Sequence, residues 1–227
     1  MVPGPCAGGG ALPGFVPLSV VDKKGAGLTT AGGPMELDHH MREVDAALLE
    51  ASARYSFVLV PGLYDSGPEH WQSFWQARHP FWLRIAQSNW NIPDIERWVG
   101  AIRRLLAQRG RPAILVGHSF GALASCCVAS DRSHDIAGLM LVAPAEPSRF
   151  EAEERVPEQA LGVPAVVVTS HNDPVMRFSR AIHWSGVWQA DLVDLGEAGH
   201  INAEAGFGPW PYGLQVLRSL VARIERR

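Results

Sequence analysis

The chain has 227 residues, which fits one domain with an appendage better than two domains. Lys and Arg total 20 against 23 Asp and Glu, a net charge of −3, so the basic excess of a nucleic-acid footprint is missing. A hydrophobic fraction of 47% excludes wholesale disorder, and no apolar run approaches the roughly 18 residues of a membrane span. Three cysteines, two of them the adjacent Cys126 and Cys127, make no disulfide framework, so a cytoplasmic location with neither nucleic-acid nor membrane partner is expected.

Residues 1–34 hold nine Gly and five Pro and show neither helical nor alternating periodicity, so they are expected to form a flexible tail. The first Lys is Lys23, too late for the basic start of a signal peptide. Residues 35–52 turn helical, with Met41, Val44 and Leu48 at spacings of three and four and Leu49 beside them. From residue 53 to 227, strand and helix patterns alternate. Strands are predicted at 57–60, 83–86, 113–116, 139–142, 165–169 and 191–194. Helices are predicted at 68–78, 94–108, 120–129, 175–184 and 212–224, with Asp94 an N-cap. Short, continuous apolar strands separated by helices predict a mostly parallel sheet covered on both faces.

The strand at 113–116 runs into Gly117-His118-Ser119-Phe120-Gly121 and then a helix. A serine on so sharp a strand-to-helix turn has close neighbours, and Gly117 and Gly121 remove the Cβ atoms that would collide there. Its hydroxyl is presented at a helix N-terminus, where unpaired N–H groups favour negative charge. The Phe120 N–H is the natural first donor to an oxyanion.

A serine nucleophile needs a base and an orienting acid, which follow it in the order acid, then His. The strand at 165–169 leads to Asp173, and the strand at 191–194 leads to His200. Ser119, Asp173 and His200 thus each follow a strand end, the edge where parallel sheets gather their ligands. His171 rivals His200 but precedes the acid in sequence; Asp194 rivals Asp173 but lies within its strand. The loop after the first strand offers the second oxyanion donor, the N–H of Leu63, with Tyr64 as alternate. Tyr64, Trp71 and Trp90 are the candidates to line a substrate pocket. No metal is expected, because neither H-E-x-x-H nor C-x-x-C occurs, and no cofactor is implied.

Five segments carry a resemblance. They are Pro61-Gly62-Leu63-Tyr64-Asp65-Ser66-Gly67-Pro68-Glu69-His70-Trp71-Gln72, Gly117-His118-Ser119-Phe120-Gly121-Ala122, His171-Asn172-Asp173-Pro174, Gly199-His200-Ile201-Asn202 and Gly206-Phe207-Gly208-Pro209-Trp210-Pro211. Together they resemble the serine hydrolases grouped with retinoblastoma-binding protein 9 and the bacterial YdeN-like proteins. The resemblance spans about residues 56–224. It implies an α/β-hydrolase fold, a three-layer sandwich without a large lid, and the same three residues as nucleophile, acid and base. The function expected is a carboxylesterase-like serine hydrolase acting on a small acyl substrate. A non-catalytic binding protein on the same fold and an acyltransferase are the alternatives. Nothing in the sequence indicates a protein partner.

Overall fold

A computed structural model describes residues 34–132 and 135–227, with side chains from His39 onward. The tail expected at 1–34 lies outside the described residues, apart from Pro34, which opens the first helix. In chain order the elements are α1 (Pro34–Ala51), β1 (Ser56–Val60), α2 (Trp71–Arg78), β2 (Trp82–Arg84), α3 (Ile95–Leu106), β3 (Ala113–His118), α4 (Phe120–Ser130), β4 (Ile136–Val142), β5 (Ala165–Thr169), α5 (Phe178–Trp188), β6 (Asp191–Asp194) and α6 (Pro211–Glu225).

The six strands form one sheet in the order β2-β1-β3-β4-β5-β6, and all five pairings are parallel. Successive side chains of a strand face opposite sides, so each strand feeds two cores. On one side Val58, Val60, Leu115, Leu141 and Val167 meet apolar faces of α3, α4 and α5. On the other, Phe57, Leu59, Val116, Met140 and Val168 meet α1, α2 and α6. Burial on both faces is why the central strands read as unbroken apolar runs. The result is the three-layer α/β-hydrolase architecture that the sequence predicts. In α1, Met41, Val44, Leu48 and Ala51 are buried, while Leu49 is exposed.

Because every strand runs the same way, β1, β3, β4, β5 and β6 all deliver their following loops to one edge of the sheet. The long segment between β4 and β5, residues 143–164, holds one short 3-10 turn at Pro147–Arg149. Its Ala145, Ala152, Val156 and Leu161 are buried against the α4 side of the core. The segment therefore covers the core and builds no separate lid.

Candidate active site

Ser119 stands between β3 and α4 with φ 55° and ψ −121°, a conformation that few non-glycine residues adopt. It is held by three main-chain bonds: its N–H donates to the Val142 carbonyl (3.0 Å), and its own carbonyl accepts from Ala122 (3.0 Å) and Ala145 (3.2 Å). The glycines around it are needed for space. A Cβ on Gly117 would lie 2.7 Å from Ala122 Cα, and one on Gly121 2.2 Å from the Val60 carbonyl oxygen. Gly62, in the loop after β1, is as tight: its Cβ would lie 2.8 Å from Ser119 Cβ. The first loop thus rests directly on the serine.

Ser119 Oγ lies 2.9 Å from His200 Nε2, and His200 Nδ1 lies 3.0 Å from each oxygen of Asp173. A carboxylate can only accept, so Nδ1 carries the proton. Nε2 is then bare and accepts from the serine hydroxyl. Asp173 Oδ1 also accepts from the Val175 N–H at 2.8 Å, and its carboxylate is almost fully enclosed while His200 is partly open. The structure therefore brings Ser119, His200 and Asp173 into one hydrogen-bonded chain. It does not bring in the rivals: His171 pairs with Asp194 at 2.8 Å on the exposed surface.

The acid and base loops are knitted together. Asn172 Oδ1 accepts from the Gly199 N–H (2.7 Å) and from Ser170 Oγ (2.8 Å), and Ser170 Oγ accepts from the Ala198 N–H (3.0 Å). From the other side, Arg149 Nη1 donates to the Val175 carbonyl at 3.0 Å and also to that of Pro174.

Of the two oxyanion candidates in the first loop, Tyr64 is spent: its N–H donates to the Trp90 carbonyl at 2.9 Å. The Leu63 N–H has no hydrogen bond among the described residues. The Phe120 N–H opens α4 and has no intrahelical partner. Leu63, Trp90, Phe150 and Val175 are half-buried against the side of the core that includes Phe120. Phe120 packs its ring on Trp98 (5.0 Å) and Phe150 (5.5 Å), and Trp98 packs on Trp90 (5.6 Å). Tyr64 is 76% exposed.

Trp71, expected to line the pocket, offers no surface to a substrate. It is wholly buried between Trp75 and Trp210, with ring centroids 4.6 and 5.2 Å away, and its indole N–H donates to the Ile201 carbonyl at 2.9 Å. The reason is local. His70 caps the helix by accepting the Gln72 N–H on Nδ1 (3.2 Å), so α2 starts at Trp71 and turns that ring inward. Sequence reasoning also passed over Gln72. It is fully buried, donates to the Val116 carbonyl (3.0 Å) and accepts from Ser66 Oγ (2.6 Å), fastening the first loop to β3. Its place in the first-loop segment was the available signal.

Burial pushes His70 down to about 3, with help from the nearby charges of Arg84 and His200. It also holds His118 well below the ordinary histidine range. Both rings are thus neutral at pH 7. Burial pushes the Cys127 thiol up to about 12 and holds Cys126 well above the ordinary thiol range, so both sulfurs are thiols at pH 7. Among the described residues, no three His, Cys, Asp or Glu side chains gather as metal ligands. Among them too, no helix is long and apolar enough to cross a membrane.

A family model for serine hydrolases matches residues 57–219. Among solved structures, the chain is similar to a YdeN-like hydrolase from Pectobacterium atrosepticum, with 54% identity over 80% of this chain and 98% of that one, at a TM-score of 0.79. It is similar in fold to the ydeN gene product of B. subtilis (19% identity, 74% and 99% covered, TM-score 0.63). The same holds for the esterase domain of a Rhodothermus marinus protein (17% identity, 74% and 87% covered, TM-score 0.57). No curated protein matches the sequence.

Proposed function

The chain belongs to the serine hydrolase family, and from that premise we propose that it cleaves small acyl esters through Ser119, His200 and Asp173. The observation that carries this reading is the 2.9 Å contact between Ser119 Oγ and the bare Nε2 of His200, whose Nδ1–H is held by Asp173.

In the proposed reaction Ser119 Oγ attacks the acyl carbon while His200 Nε2 takes its proton. Asp173 keeps the ring in that tautomer and stabilises the imidazolium. The Phe120 and Leu63 N–H groups donate to the oxyanion, reinforced by the α4 N-terminus. His200 then passes its proton to the leaving oxygen and the ester bond breaks. A water enters, gives a proton to His200 and attacks the acyl-serine. Collapse of that second intermediate frees the acid and returns the proton to Ser119. Leu63, Trp90, Phe150 and Val175 form the apolar surround proposed for the acyl group.

Labelling by a fluorophosphonate probe and turnover of p-nitrophenyl acetate test this. Ser119→Ala and His200→Ala are each expected to lower turnover on the order of a thousandfold or more while the protein stays folded. His171→Ala is expected to stay close to the parent, because its ring is engaged by Asp194 at the surface. Retained labelling in a folded Ser119→Ala protein would overturn the assignment.

A further inference from the structure

His200 sits on an unusual stretch of backbone. Gly199 before it has φ 58°, and Ile201 after it has φ 48°, a region that a β-branched residue adopts only under constraint. Such a turn relaxes unless its peptide groups are held. The Gly199 and Ile201 N–H groups donate to Asn172 Oδ1 and the Ala198 carbonyl, and two ring N–H donors hold the carbonyls of His200 and Ile201. Trp71 donates to the Ile201 carbonyl, and His118 Nε2 lies 2.9 Å from the carbonyl of His200 itself. A carbonyl only accepts, so His118 carries its proton on Nε2. The His118 ring is buried, 4.9 Å from the His200 ring and 4.7 Å from that of His70.

We propose that His118 is a positioning residue: by donating Nε2–H to the His200 carbonyl across 2.9 Å, it fixes the strained turn that aims the His200 ring at Ser119. The inference rests on the reading of His200 as base. It gives the residue before the serine a task that the strand-to-turn geometry does not require. His118 touches no substrate in this scheme. It acts through the backbone of its neighbour, and its effect falls on the transition state, where His200 must sit between Ser119 and the leaving group.

The test separates the N–H from the bulk of the side chain. His118→Gln places an amide N–H near the position of Nε2, while His118→Met has similar length and no donor. Turnover of p-nitrophenyl acetate is expected to fall roughly tenfold or more in kcat in H118M with KM nearly unchanged, and to return to within about threefold in H118Q. Equal kcat in the two variants overturns the proposal. Should H118M fail to fold, His118→Leu, smaller and also without a donor, replaces it. A second readout does not need turnover. The His200 Nδ1 proton, shared with Asp173, is observed by NMR in the parent and each variant. It is expected to be sharp in the parent and H118Q and broadened or lost in H118M; an unchanged signal in H118M overturns the proposal. A parent protein that neither labels nor turns over esters would overturn the proposed function alone, and the NMR comparison would still decide the role of His118.

Discussion

Gly62 shows how little room the site leaves at the scale of one residue. A methyl group there would press on Ser119 Cβ at 2.8 Å and on the His118 carbonyl oxygen at 3.1 Å. Gly62→Ala is therefore expected to shift either the serine or the loop that carries the Leu63 N–H. A loss of kcat/KM of at least about tenfold should follow, with a much smaller effect on melting temperature, because a misplaced oxyanion donor, the role proposed for the Leu63 N–H, alone costs that much or more. Steady-state kinetics beside a thermal melt checks it, and unchanged kcat/KM would mean that the loop yields freely. Gly117 and Gly121 were legible because their spacing around Ser119 names the collision they avoid. Ser119, Asp173 and His200 were legible because chain order and strand ends restrict where such residues fall. Trp71 was not. A tryptophan in a short helix is equally compatible with core and pocket until the first helical residue is known, and His70 decides that by accepting a single N–H. The bond from His118 to the His200 carbonyl was also invisible, since it joins residues 82 apart through a main-chain atom that no side-chain pattern encodes.

The elements were legible where burial on both faces made the pattern continuous, as in β3 and β5, and less so where loops bind their ends. The helix expected from residue 175 starts at Phe178, because the Val175 N–H is taken by Asp173 and the Val175 carbonyl by Arg149. The strand expected from 139 starts at Ile136. Gly138 within it lets α6 approach closely, since a Cβ there would lie 2.6 Å from Ile224 Cδ1. The segment at 143–164 carries a prediction of its own. Most of its apolar side chains pack into the core and only Phe150 is offered to the proposed acyl surround, too little for a long dry channel. Burying each CH₂ is worth about 0.8 kcal/mol, and without a channel that gain stops after a few carbons. Acetyl to butyryl p-nitrophenyl esters are therefore expected to give higher kcat/KM than decanoyl or longer ones, measured below micelle-forming concentrations. A maximum at long chains would require a channel between this segment and the first loop.

At the scale of the whole molecule, the buried histidines make stability depend on acid. His70 is neutral in the folded chain down to about pH 3, and burial holds His118 well below the ordinary histidine range, whereas both take up protons near 6.5 when unfolded. Their contribution is complete above about pH 6.5 and drains as pH falls below it, for His70 through the window towards 3. Each group removes at most about 1.4 kcal/mol per pH unit there. The urea midpoint is expected to be nearly level from pH 8 to 7 and to fall between 6 and 4. His70→Asn, which keeps a capping side chain but no imidazole, should show a shallower fall. A level midpoint down to pH 4.5 would mean that these rings are not buried as neutral groups. The parallel sheet has a further consequence in time. Ser119 and His200 are separated by 81 positions, and the base arrives only with the loop after the last strand. At about 5–20 residues per second, a ribosome holds the serine without its partner for on the order of ten seconds. On the proposed mechanism, a nascent chain, or one broken off before β6, thus carries Ser119 but not the His200 proposed to deprotonate it, and hydrolysis is withheld until synthesis has passed the final strand.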